Sequence, residues 1–191
     1  GFYGALREMA VPWHRVPVSL ADERLVQIDD DQSNYKGIHA DLIEPLVRAG
    51  RLPSGNVHPF LLDEQRADRG LAAYQEALAA QGGRIAVAVL SAGEDGHTAS
   101  LFPGHPSVDD PGEGYILVAG APKPPPDRLS ASRRLLAAAR LGVLVFYGEE
   151  KRAALRRFED PAVALRDCPS KVVREMAESV VVTDLAASPP T

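Results

Sequence analysis

Cysteine is nearly absent: Cys168 is the only one in 191 residues. No internal disulfide can form, and a reducing compartment, the cytoplasm, is the natural home. Long apolar runs are lacking too. None approaches the roughly 18 residues a membrane-spanning helix needs, and no charged-then-apolar leader opens the chain. A basic excess is missing, with 21 Lys and Arg against 26 Asp and Glu and a net charge of −5. A general nucleic-acid binder carries the opposite balance. The basic residues are scattered, which argues against a membrane-surface patch. A small anionic substrate needs only a few local cations and stays compatible. Familiar signatures are missing as well: there is no G-x-S-x-G elbow, no GxGxxG and no Walker A pattern. Ser100 lies in "TASLF" without elbow geometry, and Cys168 in "RDCPSK" stands apart from any histidine signal.

What is present is an ordinary globular composition, 45% hydrophobic and 25% charged, in a length that suits one domain over residues 1–191. Strand and helix patterns alternate. Residues 16–21 (VPVSLA), 84–91 (RIAVAVLS), 115–120 (YILVAG), 141–148 (LGVLVFYG) and 179–184 (SVVVTD) read as strands. Residues 33–47 read as a helix that Ser33 or Asn34 would cap. Residues 63–83 read as a helix stopped by two glycines, and 149–158 and 170–178 read as helices too. The nearly unbroken apolar run at 84–91 suits a strand covered on both faces. Short buried strands between helices predict an α/β domain with a mainly parallel sheet, whose site lies beyond the carboxyl ends of the strands. The chain opens on "GFYGALREM", a helix already under way, where such a domain is expected to begin with a strand and a phosphate-gripping turn.

The densest chemistry lies in "SAGEDGHTASLFPG", directly after the strand at 84–91. His97 there can take and return a proton near neutral pH. Asp95 or Glu94 would fix its tautomer. Gly93 and Gly96 are expected to adopt positive φ and let the backbone approach a ligand. A surface turn with an incidental histidine is the blander reading. A metal reading through Asp95, His97, His105 and Asp109 lacks zincin-type or Cys/His spacing. In "LADERLV" the trio Asp22, Glu23 and Arg24 ends the first strand, and Arg24 could grip a phosphate or an oxyanion; a solvated turn is the alternative. The prolines of "GAPKPPPDR" stiffen a loop and hold Lys123 in place, unless that loop is a proline-rich ligand for a partner. Lys151 and Arg152 of "YGEEKR" fall where a strand runs into a helix, an unfavourable place for cations that hints at local use, although a plain helix surface is the favoured reading for Arg152.

In this order and spacing, "ADERLV", Ser33-Asn34, "NVHPF", "GEDGHTASLFPG", "APKPPPDR" and "GEEKR" resemble the 6-phosphogluconolactonase family, from Phe2 to the "VVVTDLAA" end. The resemblance implies a modified Rossmann-like fold shared with glucosamine-6-phosphate deaminases and isomerases. It also implies hydrolysis of 6-phosphoglucono-δ-lactone without metal or organic cofactor. By position, His97 looks like the catalytic acid/base with Asp95 beside it. Arg24, Lys123 and Lys151 look like ligands of the phosphate or the lactone, together with Asp22, Gly93 and Gly96. A fusion or association with glucose-6-phosphate dehydrogenase is a partner the resemblance suggests.

Two departures set expectations. Ser91-Ala92-Gly93 stands where the family has Gly-hydrophobic-Gly, so Ser91 would narrow the pocket. The family's N-terminal strand and Ser-Gly-Gly phosphate loop have no counterpart in these 191 residues. Two rival functions follow: a sugar-phosphate binder or fused partner domain without catalysis, and an amino-sugar-phosphate deaminase or isomerase. The latter look like "DGHIAFNEPG" here, where this chain has Leu101 and Phe102.

Overall fold

The computed structural model describes residues 1–185. The final six residues of the single-domain reading, with Ala186 and Ala187 of the "VVVTDLAA" segment, lie outside them. The helices are α1 (Phe2–Glu8), α2 (Asn34–Ile38), α3 (Glu44–Arg48), α4 (Leu71–Ala80), α5 (Arg133–Ala137) and α6 (Arg152–Glu159). The strands are β1 (Val18–Ser19), β2 (Asp22–Arg24), β3 (Val57–His58) and β4 (Val87–Ser91), then β5 (Tyr115–Val118), β6 (Arg128–Ala131), β7 (Leu141–Phe146) and β8 (Glu178–Thr183).

The expected parallel architecture is present. β4, β7 and β8 form a parallel sheet in that order, with Leu90 opposite Leu144 and Leu144 opposite Val181. β1 and β3 form a second parallel pair. A third sheet departs from the sequence reading: β2, β6 and β5 pair antiparallel. Residues 16–21 therefore do not make one strand. The chain leaves β1 after Ser19 and re-enters pairing as β2 against β6. β6 follows the proline-dense loop, and its "RLSA" has no apolar run to announce it.

The reading of β4 as covered on both faces also fails. Ala88 and Leu90 are buried, whereas Val87 and Val89 are 53% and 40% exposed, and every residue of β8 is exposed. α1 and α3 belong to a second core around Trp13, Ile43 and Leu46, while on the covered face Phe146 meets Phe158 of α6 with ring centroids 5.5 Å apart. The core gathers there, around Leu90, Leu101, Leu129, Leu136, Leu144 and Phe146.

Local chemistry explains the helix bounds. Ser33 caps α2, its hydroxyl accepting from the Lys36 N–H at 3.2 Å. Between α2 and α3 the helix widens to a π turn at His39–Ile43. Pro45 lacks an N–H and would crowd the Asp41 carbonyl in a regular turn. The helix expected from residue 63 begins only at Leu71, because Arg69 (φ 54°) and Gly70 (φ 93°) both take left-handed backbone. Gly70 is its N-cap, and Asp68, two residues earlier, accepts from the Ala72 N–H at 3.1 Å. Its C-terminus stops as read, the Gly83 N–H returning to Leu78 O at 3.0 Å. Residues 170–178 do not form an α-helix: Pro169–Glu175 is a 3-10 helix whose Val172 and Val173 are fully buried. Among the described residues no helix is long and apolar enough to cross a membrane.

Candidate active site

β4 ends at Ser91, and the next pairing bond, Ala92 N–H to Val145 O at 3.0 Å, carries the chain into the glycine turn. That turn closes on itself. The Gly93 N–H donates to His97 O at 2.8 Å and the Gly96 N–H to Gly93 O at 3.0 Å. Asp95 completes it, its Oδ1 accepting from the His97 N–H at 3.2 Å and lying 2.5 Å from His97 Nδ1.

Asp95, not Glu94, is therefore the carboxylate that meets the imidazole. Burial tends to raise the Asp95 carboxyl, but the hydrogen bonds and charge of His97, with Lys123 beside them, outweigh it and hold the group well below the ordinary carboxylate range. An ionised carboxylate only accepts, so Nδ1 carries the proton. The Nε2 lone pair makes no hydrogen bond among the described residues.

The two glycines are needed for different reasons, and one expectation is corrected. Gly96 takes φ 86°, while Gly93 is not in the left-handed region. Gly93 is required by space: a Cβ there would fall onto the His97 ring and 2.8 Å from Asp95 Oδ1. A Cβ on Gly96 would sit 2.9 Å from Cys168 Sγ. Ser91 is exposed, and its carbonyl accepts from Thr98 Oγ1 at 3.1 Å.

Lys123 Nζ lies 3.8 Å from Asp95 Oδ1. The backbone of Lys123 is tied to Arg128, which the sequence reading missed. Arg128 is 4% exposed. Its Nε donates to Pro125 O at 3.1 Å, and its Nη2 to the Lys123 and Pro124 carbonyls at 3.1 and 3.2 Å. The proline-rich segment is thus pinned from inside by one guanidinium. That guanidinium lies 5.5 Å from the Phe102 ring centroid, and Phe102 in turn packs on His97 at 4.7 Å. His97, Asp95, Lys123, Arg128 and Phe102 form a closed ring of contacts.

The D-E-R trio is not a solvated turn. Glu23 is 2% exposed and accepts from Ser33 Oγ and from the Arg24, Asn34 and Tyr35 N–H groups at 2.7–3.0 Å, docking the start of α2 on β2. Asp22 accepts from Ser100 Oγ at 2.8 Å and lies 3.9 Å from Arg128 Nη1. Burial raises its carboxyl, opposed by that hydrogen bond and by the two arginines. Arg24 stands opposite Arg128 in the β2–β6 register. Its Nη1 donates to Gln32 O at 2.7 Å, while its Nε is buried without a partner.

Arg24 makes no contact with the Asp95–His97 pair. Lys151 lies in a 3-10 turn, Glu149–Lys151, beyond the carboxyl end of β7, the same end of the sheet as the glycine turn, and it too makes no contact with the pair. Arg152 pairs with Glu149 on the helix surface. His105 turns to Ser107 at 3.0 Å, and Asp109 pairs with Arg166. A surface groove of about 710 Å³, lined in part by Gln27, Asp63, Arg66 and Glu76, holds none of the ring residues.

A parallel sheet carrying an imidazole–carboxylate pair beside a cation at its carboxyl end defines an α/β protein with its candidate site where such sheets place theirs. The chain belongs to the family described as "Glucosamine-6-phosphate isomerases/6-phosphogluconolactonase", whose model matches residues 1–182. It is 28% identical over 166 residues to the 6-phosphogluconolactonase of Borreliella burgdorferi, covering 87% of this chain and 71% of that protein. It is 34% identical over 148 residues to the GDH/6PGL endoplasmic bifunctional protein of Oryctolagus cuniculus, covering 74% of this chain but 18% of that protein. The crystal structure of 6-phosphogluconolactonase from Thermotoga maritima superposes with a TM-score of 0.76 at 26% identity, covering 95% of this chain and 78% of the other. The chain is shorter than each of these relatives.

Proposed function

We propose that this domain hydrolyses 6-phosphoglucono-δ-lactone to 6-phosphogluconate, with His97 as acid/base. The observation that carries the reading is the short Nδ1 contact to Asp95, which leaves Nε2 free to accept a proton. Water attacks the lactone carbonyl as Nε2 takes its proton, forming the new C–O bond and an oxyanion. The ring C–O bond then breaks, and the proton returns from Nε2 to the departing ring oxygen. Asp95 holds the tautomer and balances the imidazolium.

The turn's amides divide between two tasks. Those of Gly93, Gly96 and His97 are engaged inside the turn, whereas the Glu94 and Asp95 N–H groups make no such bond among the described residues. These two amides and the Lys123 ammonium are the donors available to an oxyanion. Arg24, with an unpartnered buried Nε, suits the phosphate, and Lys151 is a further cation at the same sheet end. Asp22 braces Arg128 and Ser100. Leu101 and Phe102 are fully buried, leaving no acid or amide there for amine chemistry. The lone, buried Cys168 suits the reducing cytoplasm. Association with a glucose-6-phosphate dehydrogenase is supported by the bifunctional relative.

The test is acid release from freshly made 6-phosphoglucono-δ-lactone above the spontaneous rate, for wild type and His97→Asn. Acceleration by wild type and none by the variant is expected. Equal rates from two folded proteins would overturn the role of His97. Binding of 6-phosphogluconate without any acceleration would leave a non-catalytic sugar-phosphate binder.

A further inference from the structure

The glycine turn is held from behind by residues far along the chain. Its two outward carbonyls, Asp95 O and Gly96 O, both find partners in the segment that begins with α6. Gly96 O accepts from the Ser170 N–H at 2.9 Å, and Cys168 packs beneath Gly96. Asp95 O accepts from Arg157 Nη1 at 2.9 Å, and the second terminal nitrogen of the same guanidinium donates to Asp167 O. Arg157 thus bridges α6, the turn and the 3-10 segment Leu165–Asp167.

We propose that Arg157 is a positioning residue for the Asp95–His97 pair; the catalytic part of this inference rests on the lactonase reading above. The Asp95 carbonyl belongs to the peptide that joins Asp95 to Gly96, and Gly96 offers the least steric resistance to rotation of that peptide. The Arg157 hydrogen bond fixes the plane of this peptide. Carboxylate and carbonyl share one α-carbon, so fixing the peptide plane fixes the Cα–Cβ direction from which the carboxylate reaches His97 Nδ1. A planar guanidinium serves two carbonyls in a set geometry, whereas a lysine serves one point at a time. The titratable groups facing the Asp95 carboxylate are the His97 imidazole and the Lys123 ammonium.

The test compares Arg157→Gln and Arg157→Lys with Arg156→Gln, a matched change at an exposed neighbour on α6. Proton NMR reads the His97 Nδ1–H resonance, carbon NMR reads the Asp95 carboxyl titration, and lactone hydrolysis gives kcat and KM. Arg157→Gln is expected to move the Nδ1–H resonance upfield and raise the Asp95 titration midpoint toward the ordinary carboxylate value. It should also lower kcat about 10- to 100-fold with KM nearly unchanged. Arg157→Lys should fall between, and it carries the test if the glutamine variant does not fold. Arg156→Gln should match wild type in all readouts. An unchanged Nδ1–H resonance and Asp95 titration in a folded Arg157 variant would overturn the proposal. Those two readouts need no turnover, so they decide on Arg157 even if the lactonase reading fails.

Discussion

Gly93→Ala isolates the geometry of the candidate site from the stability of the fold. Its Cβ would overlap His97 Nδ1 and Cε1 and stand 2.8 Å from Asp95 Oδ1. Carbon contacts settle at about 3.5–4 Å, so the ring must retreat by more than ~1 Å. Misplacement on that scale costs about 100-fold in rate, or about 2.7 kcal/mol of barrier. The fold should lose less. Gly93 is outside the left-handed region, and the His97 side chain, 19% exposed, has room to swing toward water. The expected loss of stability is about 1–2 kcal/mol. Gly96→Ala is the contrast: φ 86° and the nearby Cys168 sulfur strain any side chain there, at a cost of about 1–3 kcal/mol of stability. Lactone hydrolysis and urea unfolding on both variants separate the effects. A folded Gly93→Ala protein retaining more than half of the wild-type rate would refute the steric argument, because the ring would then tolerate displacement or the turn would have reshaped around it.

Further outcomes follow from the same geometry. Asp95→Asn allows the amide to donate to Nδ1 and place the imidazole proton on Nε2, so lactone hydrolysis should fall about 10³- to 10⁴-fold, as where other His–carboxylate pairs are broken. The folded Asp95 carboxyl is held below its unfolded value, so its ionised form stabilises the protein above the ordinary carboxylate pKa of about 3.9, and that contribution is lost as pH falls through the depressed folded value. The urea-unfolding gap between wild type and Asp95→Asn should therefore be full above about pH 5 and shrink below it; a gap constant from neutral to strongly acid pH would contradict the assignment. Arg128→Met strips three loop carbonyls of their donor and should cost about 2–4 kcal/mol in urea unfolding. It should also raise KM by freeing Lys123, and an unchanged KM would show that Arg128 does not hold that lysine in place.

Much of the candidate site was legible because it is made of short-range chemistry. The spacing of Asp95 and His97 lets one carboxylate accept from both the backbone and the ring of a residue two positions on, so a single turn builds the pair. Ser33 as a cap and the paired glycines after α4 act within a few residues of themselves. The glycine turn's place after β4 follows from the ordinary path of a parallel α/β chain. Glu23 was harder to read: its burial depends on the N-terminus of α2, about ten residues further on, turning back over β2.

The amino-acid order by itself determined the apolar strands β4, β5, β7 and β8, the capped start of α2, and the local turn that joins an imidazole to its carboxylate. Tertiary structure alone decided which distant parts meet around that turn. β6 exists because β2 and β5 flank it; its four residues carry no pattern that would make a strand unaided. Arg128 becomes a clamp only when that strand sets its guanidinium under Phe102 and against the proline loop. Lys123 reaches Asp95 across 28 positions, and Arg157 reaches the same residue across 62. Contacts over such separations depend on strand pairing and on burial of a shared core, and neither has a signature in the residues nearby.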